Sequence, residues 1–330
     1  MPTTSNRAGF TLVELLLTIT IMALLLALTA PAVQSAREAA RKTECQSHQH
    51  QIAIALQSFH DIENVLPPAH WQAADNPPAL YPGYPWPGAN QRGYYYSWMA
   101  RILPYIERNS EHSRIDFSSD GVMDPWPHPQ VPLPGEPYLN SLEFQVYRCP
   151  SDPRHRGAGV FAELDDGRIF EIRHTSYLGV NGTDQFAFDG AIFVNSRVNL
   201  TSILDGTTNT FLIGERPPTR DGWFGWWFAD AGMKPWFGSP GVVLGTNEII
   251  HQDFECFPWG PTSANYQPVA DELADDGQGY ELHAWHFWSY HPGGAYFAFA
   301  DGSVRFIPYN ISPAIFTAHG TIADDLVADE

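Results

Sequence analysis

The sequence predicts an α+β protein in which the second half of a long N-terminal helix packs on an antiparallel β-sheet with large loop insertions. Three observations predict this fold class. An almost uncharged apolar segment covers residues 10–33, and residues rich in helix formers follow it to about residue 60. The later half of the chain carries short apolar runs bounded by Gly, Asp or Asn, a pattern typical of strands joined by turns. Stretches dense in Pro and Gly separate these regions.

The composition is that of a folded and acidic protein. Of 330 residues, 44% are hydrophobic and 14% aromatic, which is enough apolar surface to build a core. The formal net charge of −19 repels a phosphate backbone, so we expect no nucleic-acid partner.

The segment from Phe10 to Pro31 predicts a membrane-spanning helix. It carries one charge, Glu14, in roughly the 20 residues that a helix needs to cross the hydrocarbon of a bilayer. A carboxylate near the start of such a helix is costly without a partner, which makes Glu14 a functional hypothesis. An ordinary secretory signal peptide, with Ala30 and Ala32 forming its cleavage site, is the alternative.

Beyond Pro31, which we expect to kink the helix rather than end it, the pattern predicts helix to about Ser58. Ile52, Leu56 and Phe59 follow i, i+4, i+7 spacing and form an apolar stripe that a sheet would cover.

The remaining elements follow from local patterns. Residues 97–107 predict a short helical piece, and residues 66–93 and 116–137 predict loops. Strands are predicted at Phe144–Arg148, Thr175–Val180, Gly190–Val194 and Thr210–Gly214. The clearest element is a hairpin over Ala295–Ile307, in which Asp301-Gly302 predicts a two-residue type I′ turn.

The residues from Arg7 to Glu14 resemble the class III prepilin signal, a basic leader ending in Gly before Phe-Thr-Leu-x-Glu. The resemblance implies that prepilin peptidase cleaves between Gly9 and Phe10 and methylates the new amino terminus. Glu14 then becomes the fifth mature residue, which is implicated in pairing with the terminal amine of a neighbouring subunit. Two opposite charges that are each costly in lipid become tolerable as a pair.

This resemblance divides the chain into a leader (1–9), a transmembrane helix (10–33), the exposed half of a pilin-like long helix (34–60) and an exported α+β domain (61–330). It implies a single-pass protein of the bacterial inner membrane, whose domain is periplasmic or extracellular and whose partners are other pilin-like subunits. Three basic residues beyond the apolar segment, Arg37, Arg41 and Lys42, favour the reverse orientation by charge alone. We follow the peptidase signal.

A second resemblance covers nearly the whole chain. The stretches AREAARKTEC, QIAIALQSFHD, RILPYIE and YRCPSDP, and His291 followed after nine residues by Asp301-Gly302, are similar to a family of prepilin-like proteins built around a domain of unknown function. It implies fold and location more strongly than activity.

Six polar residues are candidates for chemistry or metal binding. His291 and Asp301, with His283 and His286 nearby, offer transition-metal ligands, but we interpret His291 and Asp301 as a hydrogen-bonded pair that fixes the hairpin. Asp205 and Asn209 offer oxygen ligands for calcium, which some pseudopilins of type II secretion bind, although a turn between strands explains them equally well. We expect no other cofactor.

The three cysteines permit at most one internal disulfide. Cys149, predicted in a turn after a strand, is expected to pair with Cys45 on the exposed half of the helix. By count, Cys256 is an equal candidate.

No nucleophile elbow, H-E-x-x-H motif or P-loop is present, so we expect no enzyme. The preferred function is that of a pilin-like structural or assembly protein. The alternative is a membrane-anchored module that binds a ligand such as a carbohydrate through the Trp-rich segment 222–238, whose rings we expect to be core. A hydrolase of the envelope is the weakest reading.

The first prediction concerns processing. Mass spectrometry of the mature protein is expected to find Phe10 at the N-terminus, carrying an N-methyl group, because Gly9-Phe10 matches the peptidase signal. An N-terminus at Pro31 or Val33 would establish an ordinary signal peptide and remove the pilin-like interpretation.

Overall fold

The structure is a computed structural model, and it describes residues 11–71, 96–117, 138–156, 160–163, 169–184, 187–219, 224–229, 241–247 and 286–323. The chain forms two compact units, Met1–Thr43 and Glu44–Glu330. The helices are α1 (Leu12–Glu63), α2 (Trp98–Arg101), α3 (Asn109–His112) and α4 (Pro313–Ala318). The strands are β1 (Val160–Glu163), β2 (Ile169–Ile172), β3 (Tyr177–Asp184), β4 (Phe211–Glu215), β5 (Val243–Asn247), β6 (Gly294–Phe299) and β7 (Val304–Pro308).

The long N-terminal helix is confirmed, and it ends at Glu63, five residues beyond the predicted Ser58. Pro31 lies inside α1, as expected. In the first unit the large apolar side chains from Leu12 to Val33 are exposed. By length and composition this helix is able to cross a membrane. A ring of exposed apolar side chains around a helix is unfavourable in water, so this part of α1 requires lipid or neighbouring helices.

The main sheet has five strands in the order β5-β3-β4-β6-β7. The β3–β4, β4–β6 and β6–β7 pairs are antiparallel, whereas β3 and β5 are parallel, so the sheet is mixed rather than purely antiparallel. β1 and β2 form a separate antiparallel pair. Strand patterns in a sequence predict where strands lie but not which edge of a sheet a later strand joins. Here β5 pairs with the edge of β3 that faces away from β4.

Two predicted strands are wrong. Residues 144–148 instead contain a 3₁₀ turn at Gln145–Tyr147, which places the Tyr147 hydroxyl to donate to Met99 O at 2.8 Å. Residues 190–194 form no strand, although Gly190 N and Ile192 N donate to backbone oxygens of β3. In both segments a compact backbone brings an apolar run into the core without a ladder of strand bonds.

The sheet separates two apolar cores. On one face it covers the second half of α1, where Ile52 and Leu56 are fully buried and Phe59 packs at the edge, confirming the predicted stripe. On the other face Phe211 and Phe297 stack with ring centroids 4.4 Å apart and meet Phe316 of α4. The second unit is therefore layered, with α1 on one side of the sheet and α4 on the other.

Polar side chains of α1 also bind the backbone of the β6–β7 hairpin. The pairs are Gln46 Nε2 to Val304 O (3.2 Å), Gln49 Nε2 to Tyr296 O (2.9 Å), Gln57 Nε2 to Ala300 O (3.0 Å) and His50 Nδ1 with Gly302 O (2.9 Å). These bonds give hairpin carbonyl oxygens donors from the helix, and they fix the hairpin in register with it.

The hairpin itself is confirmed, but its turn differs from the predicted type I′. Gly302 has φ 85°, whereas Asp301 is absent from the residues with positive φ, and type I′ requires positive φ at both. Gly302 N donates to Phe299 O, and Phe299 N donates to Ser303 O, which closes a three-residue loop. This is the arrangement of an ordinary turn followed by a glycine bulge, and Asp301 Oδ1 completes it by accepting from Ser303 N at 2.8 Å.

The second prediction concerns this turn. Gly302→Ala forces a side chain into left-handed backbone and is expected to lower the free energy of unfolding by about 1–2 kcal/mol. Asp301→Asn is the matched control, since its side-chain oxygen still accepts from Ser303 N and its stability is expected to stay near wild type. Chemical unfolding of the full chain in detergent measures both. Equal losses for the two variants would contradict this description of the turn.

Candidate functional site

The predicted cleavage residues Gly9 and Phe10 lie outside the described residues, so their roles remain predictions. Glu14 is described, and its carboxylate closes the start of α1. Glu14 Oε2 accepts from Thr11 N at 2.9 Å and from Thr11 Oγ1 at 2.7 Å, while Glu14 N approaches Thr11 Oγ1 at 3.3 Å. This reciprocal arrangement is a capping box, in which an N-cap Thr and a Glu three residues later satisfy each other's backbone N–H groups.

The capping box gives Glu14 a second role that the sequence analysis missed, although Thr-x-x-Glu at the start of an apolar run is its usual signal. The carboxylate satisfies a backbone donor that lipid could not satisfy. Held at the helix N-terminus, it also lies where the helix dipole favours negative charge. Glu14→Ala therefore removes both a charge and a helix cap, and an experiment must separate the two.

The predicted pairing of His291 with Asp301 is wrong. The two residues flank the ends of β6, and an extended strand of that length keeps its ends about 17 Å apart. Asp301 is exposed at the turn, where its carboxylate accepts a hydrogen bond from Ser303 N. His291 is 2% exposed, and its backbone N donates to Ser289 Oγ at 3.0 Å. The spacing between them therefore reflects the length of a strand rather than a contact.

His291 instead belongs to a buried cluster with both of the cysteines predicted to pair. Cys45 and Cys149 form a disulfide, joining residues 104 apart in the chain. His291 Nε2 lies 3.4 Å from Cys149 Sγ and 3.3 Å from Glu215 Oε1. One ligand atom from each of these four residues lies within 4.8 Å of every other, and all four residues are buried. The cluster combines soft sulfur with nitrogen and oxygen ligands.

Glu215 is the member that the sequence analysis did not single out for this site. It ends β4 in the run FLIGE, whose other residues are all buried, and a carboxylate at 1% exposure is unusual without compensation. Its Oε2 accepts from Tyr296 N at 2.7 Å. Its Oε1 accepts no hydrogen bond from the described residues and faces the His291 imidazole. A charged residue ending a fully apolar strand was the available signal.

The other proposed metal ligands lie apart from this cluster. Asp205 and Asn209 belong to a turn in which Asn209 Nδ2 donates to Asp205 O at 3.0 Å and Asp205 Oδ2 accepts from Thr321 Oγ1 at 3.3 Å. These contacts explain both residues as turn formers, and calcium binding there remains a prediction. His286 is buried, while His283 and Cys256 lie outside the described residues.

The two Trp residues of segment 222–238 that are described are core residues. Trp226 and Trp227 are 3% and 0% exposed. The Trp227 indole donates to Leu142 O at 2.8 Å and stacks on Tyr147. Neither ring forms an exposed platform for a sugar. Trp223 and Trp236 lie outside the described residues, so carbohydrate binding by those rings is a prediction only.

A buried carboxylate lies next to the cysteine cluster. Asp152 is 3% exposed and accepts hydrogen bonds from Arg154 N at 2.9 Å and Ser176 Oγ at 3.1 Å. The same Ser176 hydroxyl accepts from Cys149 N at 3.0 Å, so Asp152 helps to orient the backbone that carries Cys149. Burial raises the pKa of Asp152 from 3.8 to about 6, against the lowering effect of those hydrogen bonds and of the Arg154 and Arg148 charges.

The fold and the N-terminal site define a class of protein, namely a membrane-anchored prepilin-like protein with an apolar N-terminal helix and an α+β domain. Residues 4–30 match the prokaryotic N-terminal methylation motif, which implies processing by prepilin peptidase. Residues 34–314 match the family described as protein of unknown function (DUF1559), and the chain belongs to this family. No curated protein and no solved structure matches the chain.

The third prediction concerns Asp152. Because its pKa is higher in the folded than in the unfolded state, the folded state binds the proton more tightly, and the free energy of unfolding falls as pH rises from about 4 to about 6. A shift of about two pKa units corresponds to a loss on the order of 3 kcal/mol. Asp152→Asn is expected to remove this part of the pH dependence.

Chemical unfolding of the full chain in detergent, repeated across that pH range, measures the difference between wild type and variant. Asp301→Asn alters an exposed carboxylate and serves as the control, with a wild-type slope expected. A slope that Asp152→Asn leaves unchanged would contradict the assignment.

Proposed function

We propose that this chain is a pilin-like or pseudopilin-like structural or assembly protein of the bacterial envelope. Prepilin peptidase removes its leader, α1 anchors it in the inner membrane, and its α+β domain lies on the periplasmic or extracellular side. The observation that carries this proposal is the methylation motif at residues 4–30, placed at the start of a helix whose large apolar side chains from Leu12 to Val33 are exposed.

The position of Glu14 at the start of this apolar helix supports assembly as well as anchoring. A single helix in lipid satisfies its apolar side chains, but it leaves the terminal ammonium and the Glu14 carboxylate at membrane depth. Cleavage between Gly9 and Phe10 creates that ammonium at Phe10, four residues before Glu14. Pairing the amine of one copy with Glu14 of a neighbour removes two costly charges at once.

A structural role also accounts for the buried polar clusters of the second unit better than catalysis does. The polar clusters that the structure describes, at Asp152 and at Glu215 with His291, are buried. We therefore propose that the domain supports contacts with partner subunits and is not an enzyme.

The fourth prediction separates the charge of Glu14 from its cap. Glu14→Gln keeps an oxygen that accepts from Thr11 N but removes the charge, since Gln also serves in a capping box. Thr11→Ala keeps the charge and loses the cap, at a cost of about 0.5–2 kcal/mol to the helix start. We expect Glu14→Gln and Glu14→Ala to lower recovery of other pilin-like subunits severalfold, and Thr11→Ala to leave it near wild type.

The measurement is a pull-down of the tagged full chain from detergent-solubilised membranes, with bound subunits quantified by mass spectrometry. The same spectra check that every variant is still cleaved before Phe10. Full recovery of partner subunits with Glu14→Gln would refute the pairing role. A loss with Thr11→Ala as large as that with Glu14→Gln would assign the effect to the helix cap instead.

A further inference from the structure

The buried cluster of Cys45, Cys149, Glu215 and His291 offers four ligands of three types, and four is the number that zinc takes in structural sites. Zn²⁺ is bound by Cys sulfur, His nitrogen and carboxylate oxygen, and its structural sites are almost always tetrahedral. The four residues come from four separate parts of the chain: helix α1, the turn after Gln145–Tyr147, the end of β4 and the loop before β6. Only the folded second unit brings them together.

Two distances within the cluster match edges of a zinc tetrahedron. Metal–ligand bonds of about 2.0–2.3 Å place neighbouring ligand atoms about 3.3–3.8 Å apart. The His291 Nε2 to Glu215 Oε1 distance is 3.3 Å, and the Cys149 Sγ to His291 Nε2 distance is 3.4 Å. The bond between the two sulfurs does not fit, and it has to open before both can bind a metal.

The second observation that points to a cation is Glu215 itself. Its Oε1 is buried, accepts no hydrogen bond from the described residues and is aimed at His291 and the sulfurs. A buried carboxylate oxygen without a donor is costly unless a positive charge lies against it. The His291 imidazole lies 3.3 Å from this oxygen in the disulfide state, and a metal ion would supply a positive charge there in the dithiol state.

We propose that these four residues form a redox-dependent zinc site, with a disulfide between Cys45 and Cys149 in the oxidised state and tetrahedral Zn²⁺ in the reduced state. In the reduction, a dithiol reductant gives two electrons and two protons to the sulfur–sulfur bond and becomes a disulfide itself. Zinc binding then displaces the two thiol protons to solvent. His291 binds through the lone pair of Nε2, with its proton on Nδ1.

The supporting residues hold the ligands in place in both states. Ser176 Oγ accepts from Cys149 N, Ser289 Oγ accepts from His291 N, and Tyr296 N donates to Glu215 Oε2. None of these three bonds uses an atom that the metal needs. The site therefore joins α1 to the sheet before the chain is oxidised as well as after, because a newly made chain carries thiols and an exported one meets an oxidising environment.

The test uses the full chain in detergent without mutation first. Protein reduced anaerobically with a phosphine and given Zn²⁺ is expected to retain about one ion per chain after dialysis, whereas oxidised protein treated in the same way retains none. Co²⁺ in place of Zn²⁺ is expected to give the charge-transfer band of thiolate ligation in the reduced sample alone. Metal content is measured by mass spectrometry of the elements.

Variants then assign the ligands. His291→Ala and Glu215→Gln are each expected to lower zinc retention by the reduced protein severalfold, while Cys256→Ser, which removes the third thiol, leaves it unchanged. Since the first two variants alter a buried pair, circular dichroism must show that each remains folded. If one unfolds, the comparison of oxidised with reduced wild type decides the matter.

Failure of reduced wild type to retain zinc would overturn the proposal. So would equal retention by oxidised and reduced protein, or a folded His291→Ala variant that binds as wild type does. Loss of binding with Cys256→Ser would place the site elsewhere.

Discussion

The second unit depends on one contact, the burial of a single face of α1 against the β6–β7 side of the sheet. Ile52 and Leu56 are fully buried there, and each contributes about 1.5–3 kcal/mol by leaving water. Polar side chains on the same face bond to hairpin carbonyl oxygens at about 1 kcal/mol each. The apolar burial supplies more of the stabilisation, while the polar bonds set the register, because only one sliding position of hairpin against helix satisfies all of them.

This contact explains the spacing of His291 and Asp301-Gly302 in physical terms. Between Cys45 and Gln57, α1 rises about 18 Å, and the extended strand β6 spans about 17 Å. His291 lies in the cluster with Cys45 at one end of the strand. At the other end Gly302 lies against Gln57, whose side chain would be 3.1 Å from an added Cβ. Nine intervening residues are the length of strand and turn that reaches from one helix contact to the other.

The parts of the fold that follow from local pattern could be predicted from the sequence, and the parts that follow from long-range pairing could not. The apolar helix, the stripe at Ile52 and Leu56 and the hairpin each rest on spacing within a short segment, and the structure has all three. The parallel place of β5, the 3₁₀ turn at Gln145–Tyr147 and the turn type at Asp301 depend on what packs against them. The dipeptide Asp-Gly suits both turn types, and the hydrogen bond from Gly302 to Phe299 selects one.

The candidate site shows the same division. By count, Cys45 could pair with either Cys149 or Cys256. The position of Cys149 after an apolar run favours Cys149. Glu215 had no such indication beyond its place at the end of a buried strand, because a partner 76 residues away in the chain gives it its environment. The signature indicates that His291 matters but not what it contacts, which is Glu215 and Cys149 rather than Asp301.

The buried polar groups of the cluster limit how the second unit can be altered. Removing one member of a buried polar contact leaves the other without its partner, at a cost of about 1–3 kcal/mol, against the roughly 5–15 kcal/mol that holds a domain folded. Glu215 and His291 therefore depend on each other, and both sit against the disulfide of Cys45, the first buried residue of α1. Covalent, polar and apolar contacts meet at Cys45, the first buried residue of α1 in the second unit. A change in the oxidation state of the sulfurs therefore alters the surroundings of the Glu215 carboxylate, the His291 imidazole and the helix together.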